Sequence, residues 1–219
     1  MVNANVKMLI TRPDYDDTTF YCKTWSEHII ELASKKIKFV ELKDKKVTKK
    51  NVTGMITSHN PKFLFFNGHG NPKTITGHNH EPLITEGENE SLLKSKIVLA
   101  VTCGAANSLG HAAVKSGDGT FIGFDGIYMF PYDETRTAKP LMDERAKPFF
   151  ETTNSIAVSI INGHTTEESY DKAMENYGKW IEYYRVNGDD PNAPIVLPFL
   201  LYDITLLKIL GNTSATIAD

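Results

Sequence analysis

Two short runs of apolar residues constrain the fold of this chain more than any other feature. They are "FLFF" at 63–66 and "IVLAV" at 97–101, and in neither do apolar and polar residues alternate. A strand that is apolar on both faces belongs in the centre of a sheet that helices cover on both sides. Such a sheet is usually parallel, because helices form the crossover connections between its strands.

The rest of the chain alternates between strand-like and helix-like patterns. Strands are predicted at 6–11, 37–42, 62–67, 96–102 and 119–126. Helices are predicted at 22–35, 48–58 (capped by Thr48), 104–117, 149–162, 166–186 and 195–210. Strands that alternate with helices indicate an α/β fold with a mainly parallel central sheet. We expect one domain over residues 1–219, with a helical C-terminal portion from about 149.

Composition and charge argue against several classes of function. The chain is 41% hydrophobic and carries a formal net charge of -3, so nothing indicates a nucleic-acid partner. The longest apolar run, at 195–210, is broken by a proline and two charged residues and is too short to span a bilayer. No secretory signal is visible, and Cys22 and Cys103 alone cannot form a disulfide framework. We therefore expect a cytoplasmic protein without a membrane partner.

A histidine and a cysteine follow the two central strands. Strand 62–67 runs into His69, which lies between two glycines, and strand 96–102 ends directly before Cys103. Functional groups collect at the carboxyl ends of strands in open parallel sheets, so we expect both side chains at one edge. An imidazole supports the thiolate that a nucleophilic cysteine needs, and the predicted following helix would lower the thiol pKa further. Backbone N–H groups of Gly70 and Cys103 are candidates for an oxyanion hole.

The segment 61–126 resembles the clan CD cysteine peptidases, which include caspases, metacaspases, legumains, gingipains, clostripain, separases and CHAT domains. The shared pattern is an apolar strand that ends in His-Gly, followed by an apolar strand that ends in Cys. The segment is most similar to the CHAT and gingipain-like members, in which a helix of small residues and then a strand with the pattern G…x-I-G follow the Cys. The resemblance implies a caspase-like three-layer α/β/α sandwich and a His69/Cys103 dyad. It further implies hydrolysis of peptide bonds in protein or peptide substrates, with no cofactor or metal, under control of a partner, a ligand or loop processing.

The resemblance also indicates where a substrate would bind. Several members that select basic side chains carry a carboxylate two residues before the cysteine, where this chain has Val101. The loop after the first strand shapes the pocket in this clan. Arg12 in that loop would favour acidic side chains, whereas Asp16 and two neighbouring aspartates would favour basic ones, unless these charges simply face solvent. Asp125 ends the fifth predicted strand, next to the expected substrate path, and the count of carboxylates favours basic side chains.

Three other interpretations stay open on the sequence alone. His78 and His80 can form a zinc site together with the histidine and the cysteine of the dyad. A glutamine-amidotransferase or DJ-1-like enzyme would use a histidine that follows the nucleophile, for which His111 and His164 are the candidates. A non-catalytic interaction module on the same fold is the third interpretation, because fold does not prove activity.

The segment 126–148 is long, charged and rich in proline. Loops of this length are often lids, cleavage sites or partner surfaces. We expect it to control access to Cys103. If the pocket prefers basic side chains, then Arg136, Lys139 and Arg145 are candidate points of self-cleavage.

Overall fold

A mainly parallel six-stranded sheet forms the centre of the protein. The computed structural model describes residues 5–115 and 117–218. The strands of this part of the chain are β1 (Met8–Arg12), β2 (Phe39–Lys43), β3 (Phe63–Asn67), β4 (Gly70–Asn71), β5 (Thr74–Thr76), β6 (Pro82–Thr85), β7 (Ile97–Val101), β8 (Thr120–Phe124) and β9 (Leu207–Gly211). The large sheet has the order β2-β1-β3-β7-β8-β9, and only β9 runs antiparallel to its neighbour. The strands β4, β5 and β6 form a small antiparallel sheet.

Helices pack on both faces of the large sheet. They are α1 (Asp17–Trp25), α2 (Glu27–Lys36), α3 (Lys49–His59), α4 (Leu109–Val114), α5 (Lys147–Ile161), α6 (Thr166–Val186) and α7 (Ala193–Leu206). One apolar core joins the sheet to α2, α5, α6 and α7, and a second joins its other face to α3 and α4. Of the helices described, none combines the length and the apolar character that a bilayer crossing requires.

The two continuous apolar runs predicted the fold class correctly. Both are central strands with every residue buried, and the α/β fold with a mainly parallel sheet is confirmed. Thr48 caps α3 as predicted, since its side chain accepts a hydrogen bond from the N–H of Asn51 at 3.3 Å.

Three helix predictions need correction. The segment 22–35 is two helices, α1 and α2, which meet at Ser26. The predicted helix 104–117 is shorter, because 102–108 form turns and α4 begins only at Leu109; Ser116 lies outside the described residues. The segment 195–210 ends as strand β9, because the exposed edge of β8 offers backbone partners to its last residues.

Candidate active site

Strands β3 and β7 are neighbours in the sheet, and one reactive side chain follows the C-terminal end of each. In the parallel register of the two strands, Asn67 lies opposite Val101. His69 and Cys103 each follow two residues later, so the register brings them to the same end of neighbouring strands. Both side chains line one cleft of about 280 Å³. The other residues that line it are Thr18, Cys22, Gly68, Tyr128, Met129, Phe130, Tyr132 and Phe199.

Glycines make the turns that present both reactive residues. Gly68 has a φ of +127°, and a Cβ there would lie 3.1 Å from Cγ of Pro13. Gly104, directly after the cysteine, has a φ of +68°, and a Cβ there would lie 3.1 Å from the backbone nitrogen of Pro72. Residues with a side chain rarely adopt such φ values, so glycine is needed at both turns.

Asp16 holds the imidazole of His69. Its Oδ2 lies 2.8 Å from Nε2 of the histidine, although the two residues are 53 positions apart in the chain. Asp16 also caps α1, and its Oδ1 accepts the N–H and the hydroxyl of Thr19, each at 2.8 Å. Burial alone would raise the pKa of Asp16, but these hydrogen bonds and the histidine lower it below the usual range.

An ionised carboxylate can only accept hydrogen bonds, so Nε2 of His69 carries a proton. In the neutral ring, Nδ1 is then the nitrogen that is free to take a proton. Asp16, expected from the sequence to line a substrate pocket, instead fixes the tautomer and the orientation of the imidazole. No local pattern in the sequence indicates that Asp16 binds a histidine so far away in the chain.

Cys103 is a partly buried thiol that does not bond to the histidine. Its Sγ lies 3.6 Å from the carbonyl oxygen of Tyr128, to which the S–H donates. Burial raises the pKa of Cys103, and the charge of Asp203 adds to the increase. The expectation that a helix N-terminus lowers this pKa is wrong, because turns separate the cysteine from α4. The resting thiol is therefore protonated, and an attack needs a base.

The two expected oxyanion donors lie beside the nucleophile. A Cβ on Gly70 would be 3.0 Å from Cβ of Thr102, the residue before the cysteine, so β4 packs directly against this turn. The carbonyl of His69 accepts the N–H of Thr76 at 3.0 Å. Because this bond joins the residues on either side of the pair Gly70 and Ile75, that pair does not exchange hydrogen bonds, and the N–H of Gly70 points away from β5. The N–H of Cys103 donates to no acceptor within the described residues.

Arg12 does not face the cleft. Its side chain is 2% exposed, and its guanidinium donates to the carboxylates of Glu27 and Glu41 and to Oγ of Ser26 at 3.1 Å. The expectation that Arg12 selects acidic substrates is wrong, because this group ties α2 and β2 to β1. Its two counterions satisfy the buried charge.

Two further residues expected to contact substrate lie elsewhere. Val101 is 2% exposed and packs in the core on the α5 face of the sheet. Asp125 is 3.7 Å from Nζ of Lys208, and neither it nor Val101 lines the cleft. The cleft therefore collects His69 and Cys103, with Asp16 behind the histidine.

The competing metal and amidotransferase sites lack the geometry they need. No three His, Cys, Asp or Glu side chains of the described residues are grouped to hold a metal ion, although the rings of His69 and His80 are 5.0 Å apart. The zinc alternative thus has no ligand set. His111 lies on α4 and His164 follows α5, and neither lines the cleft with the cysteine.

The segment 126–148 forms one wall of the cleft. Four lining residues come from 128–132, the stretch "YMFPY". The loop is held by the buried Asp143, which accepts the hydroxyl of Tyr21 at 2.7 Å and the N–H of Asp133 at 2.8 Å. Sequence reasoning treated this loop as charged and missed its aromatic part. An aromatic cluster in an otherwise polar loop was the available signal.

The cleft thus combines a thiol, an imidazole oriented by a carboxylate, and an aromatic wall. A thiol beside an oriented imidazole can attack a carbonyl carbon, and an aromatic wall can bind an apolar part of a substrate. No protein-family model matches this chain, and no curated protein is similar to it in sequence.

Proposed function

We propose that this protein is a cysteine endopeptidase with a caspase-like fold, in which Cys103 is the nucleophile and His69 the general acid and base. One observation carries the proposal: both side chains line the same cleft at neighbouring strand ends, and Asp16 bonds to the histidine. The parallel sheet with helices on both faces supports the fold assignment. The two free cysteines fit a reducing compartment.

In the first half of the reaction, Nδ1 of His69 takes the proton of the thiol as Sγ of Cys103 attacks the scissile carbonyl carbon. Asp16 stabilises the imidazolium that forms. The carbonyl oxygen becomes an oxyanion, which the N–H groups of Gly70 and Cys103 bind. The C–N bond then breaks, the imidazolium gives its proton to the leaving amine, and a thioester remains on the sulfur.

In the second half, water replaces the amine product. His69 accepts a proton from the water as its oxygen attacks the thioester carbon. The C–S bond breaks, the acid product leaves, and the sulfur regains its proton from the imidazolium. No oxidant, metal or cofactor enters these steps, and the base that starts each half is the same nitrogen.

Regulation through the segment 126–148 is part of the proposal. Four of its residues between 128 and 132 line the cleft, so a cut within the segment would change the wall beside Cys103. Arg136 and Lys139 are exposed and accessible to a second molecule, whereas Nε of Arg145 donates to Asn192 at 3.1 Å. Cleavage at one of the two exposed residues is therefore favoured over cleavage at Arg145.

A fluorogenic peptide library tests the endopeptidase directly. Cleavage by the wild type should fall by more than about 1,000-fold in Cys103→Ala and in His69→Ala, because each removes a group that every turnover needs. His59→Ala is the matched control, since His59 is exposed and lies on α3, a helix that contributes no residue to the cleft. Cleavage that survives Cys103→Ala would overturn the proposed function.

A further inference from the structure

A buried carboxylate without a counterion lies behind the cleft. Asp203 of α7 is 0% exposed, and its Oδ2 has no hydrogen-bond partner among residues 5–115 and 117–218. Its Oδ1 accepts only the N–H of Met129, at the long distance of 3.4 Å. No lysine, arginine or histidine of the described residues forms an ion pair with it. Such a group is costly unless a proton or a cation compensates it.

Asp203 is adjacent to the cleft wall. Met129, whose N–H it accepts, lines the cleft. Phe199, one helical turn before it on α7, lines the cleft as well. Burial is the main cause of the raised pKa of Cys103, and Asp203 contributes to the same increase. The carboxyl group of Asp203 thus lies directly behind a residue of the cleft wall, Met129, whose side chain is partly exposed and of a flexible type.

Two buried phenols share this region. The hydroxyls of Tyr128 and Tyr177 make no hydrogen bond of normal geometry. Burial, followed by the charges of Tyr177 and Asp203, raises the pKa of Tyr128, and only the hydroxyl of Thr153 opposes this. Burial and then the charge of Asp203 raise the pKa of Tyr177. Tyr128 directly precedes Met129, whose N–H Asp203 accepts, and Tyr177 lies on α6, which packs against α7.

This set of groups matches the chemistry of a basic side chain. An ammonium or guanidinium group has N–H donors for the carboxylate and the phenol oxygens, and brings the positive charge that the site lacks. The apolar stem of lysine or arginine suits the aromatic wall through which it would pass. A basic side chain can replace the proton that compensates the buried carboxyl group, whereas an acidic or a neutral side chain brings no positive charge to balance the carboxylate.

We propose that Asp203 is the residue that determines specificity, and that it selects substrates with lysine or arginine on the acyl side of the cleaved bond. This proposal rests on the proposed endopeptidase function, because a residue can select the cleavage site only in a protein that cleaves peptides. It places on α7 the pocket charge that was expected of Asp16 or of Arg12, because Asp16 binds His69 and Arg12 belongs to a buried ion-pair group.

The test compares matched peptides that carry lysine or norleucine at the cleaved position. The ratio of kcat/KM for lysine to that for norleucine should fall by roughly 30-fold or more in Asp203→Asn, as when one partner of a buried charge pair is neutralised. Asp189→Asn is the matched control, because Asp189 is an exposed carboxylate in the loop before α7. An unchanged ratio in Asp203→Asn, with norleucine cleavage intact, would overturn the proposal and leave the endopeptidase function standing.

A binding measurement separates the two proposals. In the Cys103→Ala protein, butylammonium and agmatine, which mimic the two basic side chains, should raise the melting temperature, and Asp203→Asn should abolish the increase. This result together with no cleavage of any peptide by the wild type would refute the endopeptidase but keep the cation site. An equal increase with and without Asp203 would overturn the site, whatever the peptides show. Tyr177→Phe, which keeps the ring, should weaken the increase without abolishing it.

Discussion

Replacement of Asp203 by asparagine should change how the stability of the protein depends on pH. Burial raises the pKa of Asp203 from 3.8 to about 8. Between these values the folded protein holds a proton that the unfolded chain releases, so folding takes up one proton. The stability is therefore highest below the unfolded pKa and declines as the pH rises toward the folded pKa. Asparagine does not titrate, so the variant should lack this decline.

The size of the effect follows from the linkage of one proton. Each pH unit inside the window lowers the wild-type free energy of unfolding by about 1.4 kcal/mol relative to Asp203→Asn. Between pH 5 and pH 7 the difference amounts to about 3 kcal/mol, which is roughly 6–12 °C in melting temperature for a chain of this size. Groups that titrate in both proteins cancel in the comparison.

Thermal unfolding of the two proteins, followed by circular dichroism from pH 5 to pH 7 at constant ionic strength, measures this difference. The melting temperature of Asp203→Asn should rise steadily relative to that of the wild type as the pH increases, whereas the melting temperature of Asp189→Asn should stay equal to that of the wild type. Parallel curves for the wild type and Asp203→Asn would show that Asp203 is already ionised and compensated in the folded protein, which contradicts an uncompensated buried carboxylate.

Three further predictions concern the other charged residues. Asp16→Asn should keep the cap of α1 and the melting temperature, yet lower kcat by roughly 100-fold or more, because an amide no longer fixes the Nε2 proton of His69; wild-type kcat in steady-state peptide assays would contradict this. Arg12→Ala should cost about 1.5–3 kcal/mol in denaturant unfolding, because it removes the buried guanidinium whose hydrogen bonds join α2 and β2 to β1, and should not alter substrate preference in the folded fraction; a changed preference would show that Arg12 contributes to the substrate pocket. Mass spectrometry of purified protein should find cleavage after Arg136 or Lys139 in the wild type and an intact chain in Cys103→Ala; an intact and fully active wild type would rule out obligatory processing.

The sequence predicts the scaffold well because its signals are local. The strands at 63–67 and 97–101 are apolar on both faces, and a parallel register then dictates that His69 and Cys103 leave the sheet together. Strand β9 has no such signal. Its residues continue an apolar run, and they become a strand only because the edge of β8 pairs with them.

The roles of the charged residues depend on contacts that no local pattern reveals. Arg12 looked like a pocket residue, but its counterions come from α2 and β2, elements that follow it in the chain. Asp16 bonds to a histidine 53 residues away. Asp203 appears in the sequence only as an interruption of an apolar run, and its meaning depends on the absence of a partner in the folded protein. Whether a charged side chain has a counterion depends on the tertiary structure and not on the neighbouring sequence.

Active-site labelling tests most directly whether Cys103 and His69 work as a pair in one cleft. A peptidyl acyloxymethyl ketone, which a thiol attacks at the methylene carbon with loss of the carboxylate, is incubated with the folded protein, and the adduct is mapped by mass spectrometry. One adduct should form, on Cys103, with Cys22 unmodified and with a rate that falls at least about tenfold in His69→Ala. An adduct on Cys22, or an equal rate without the imidazole, would contradict a catalytic pair.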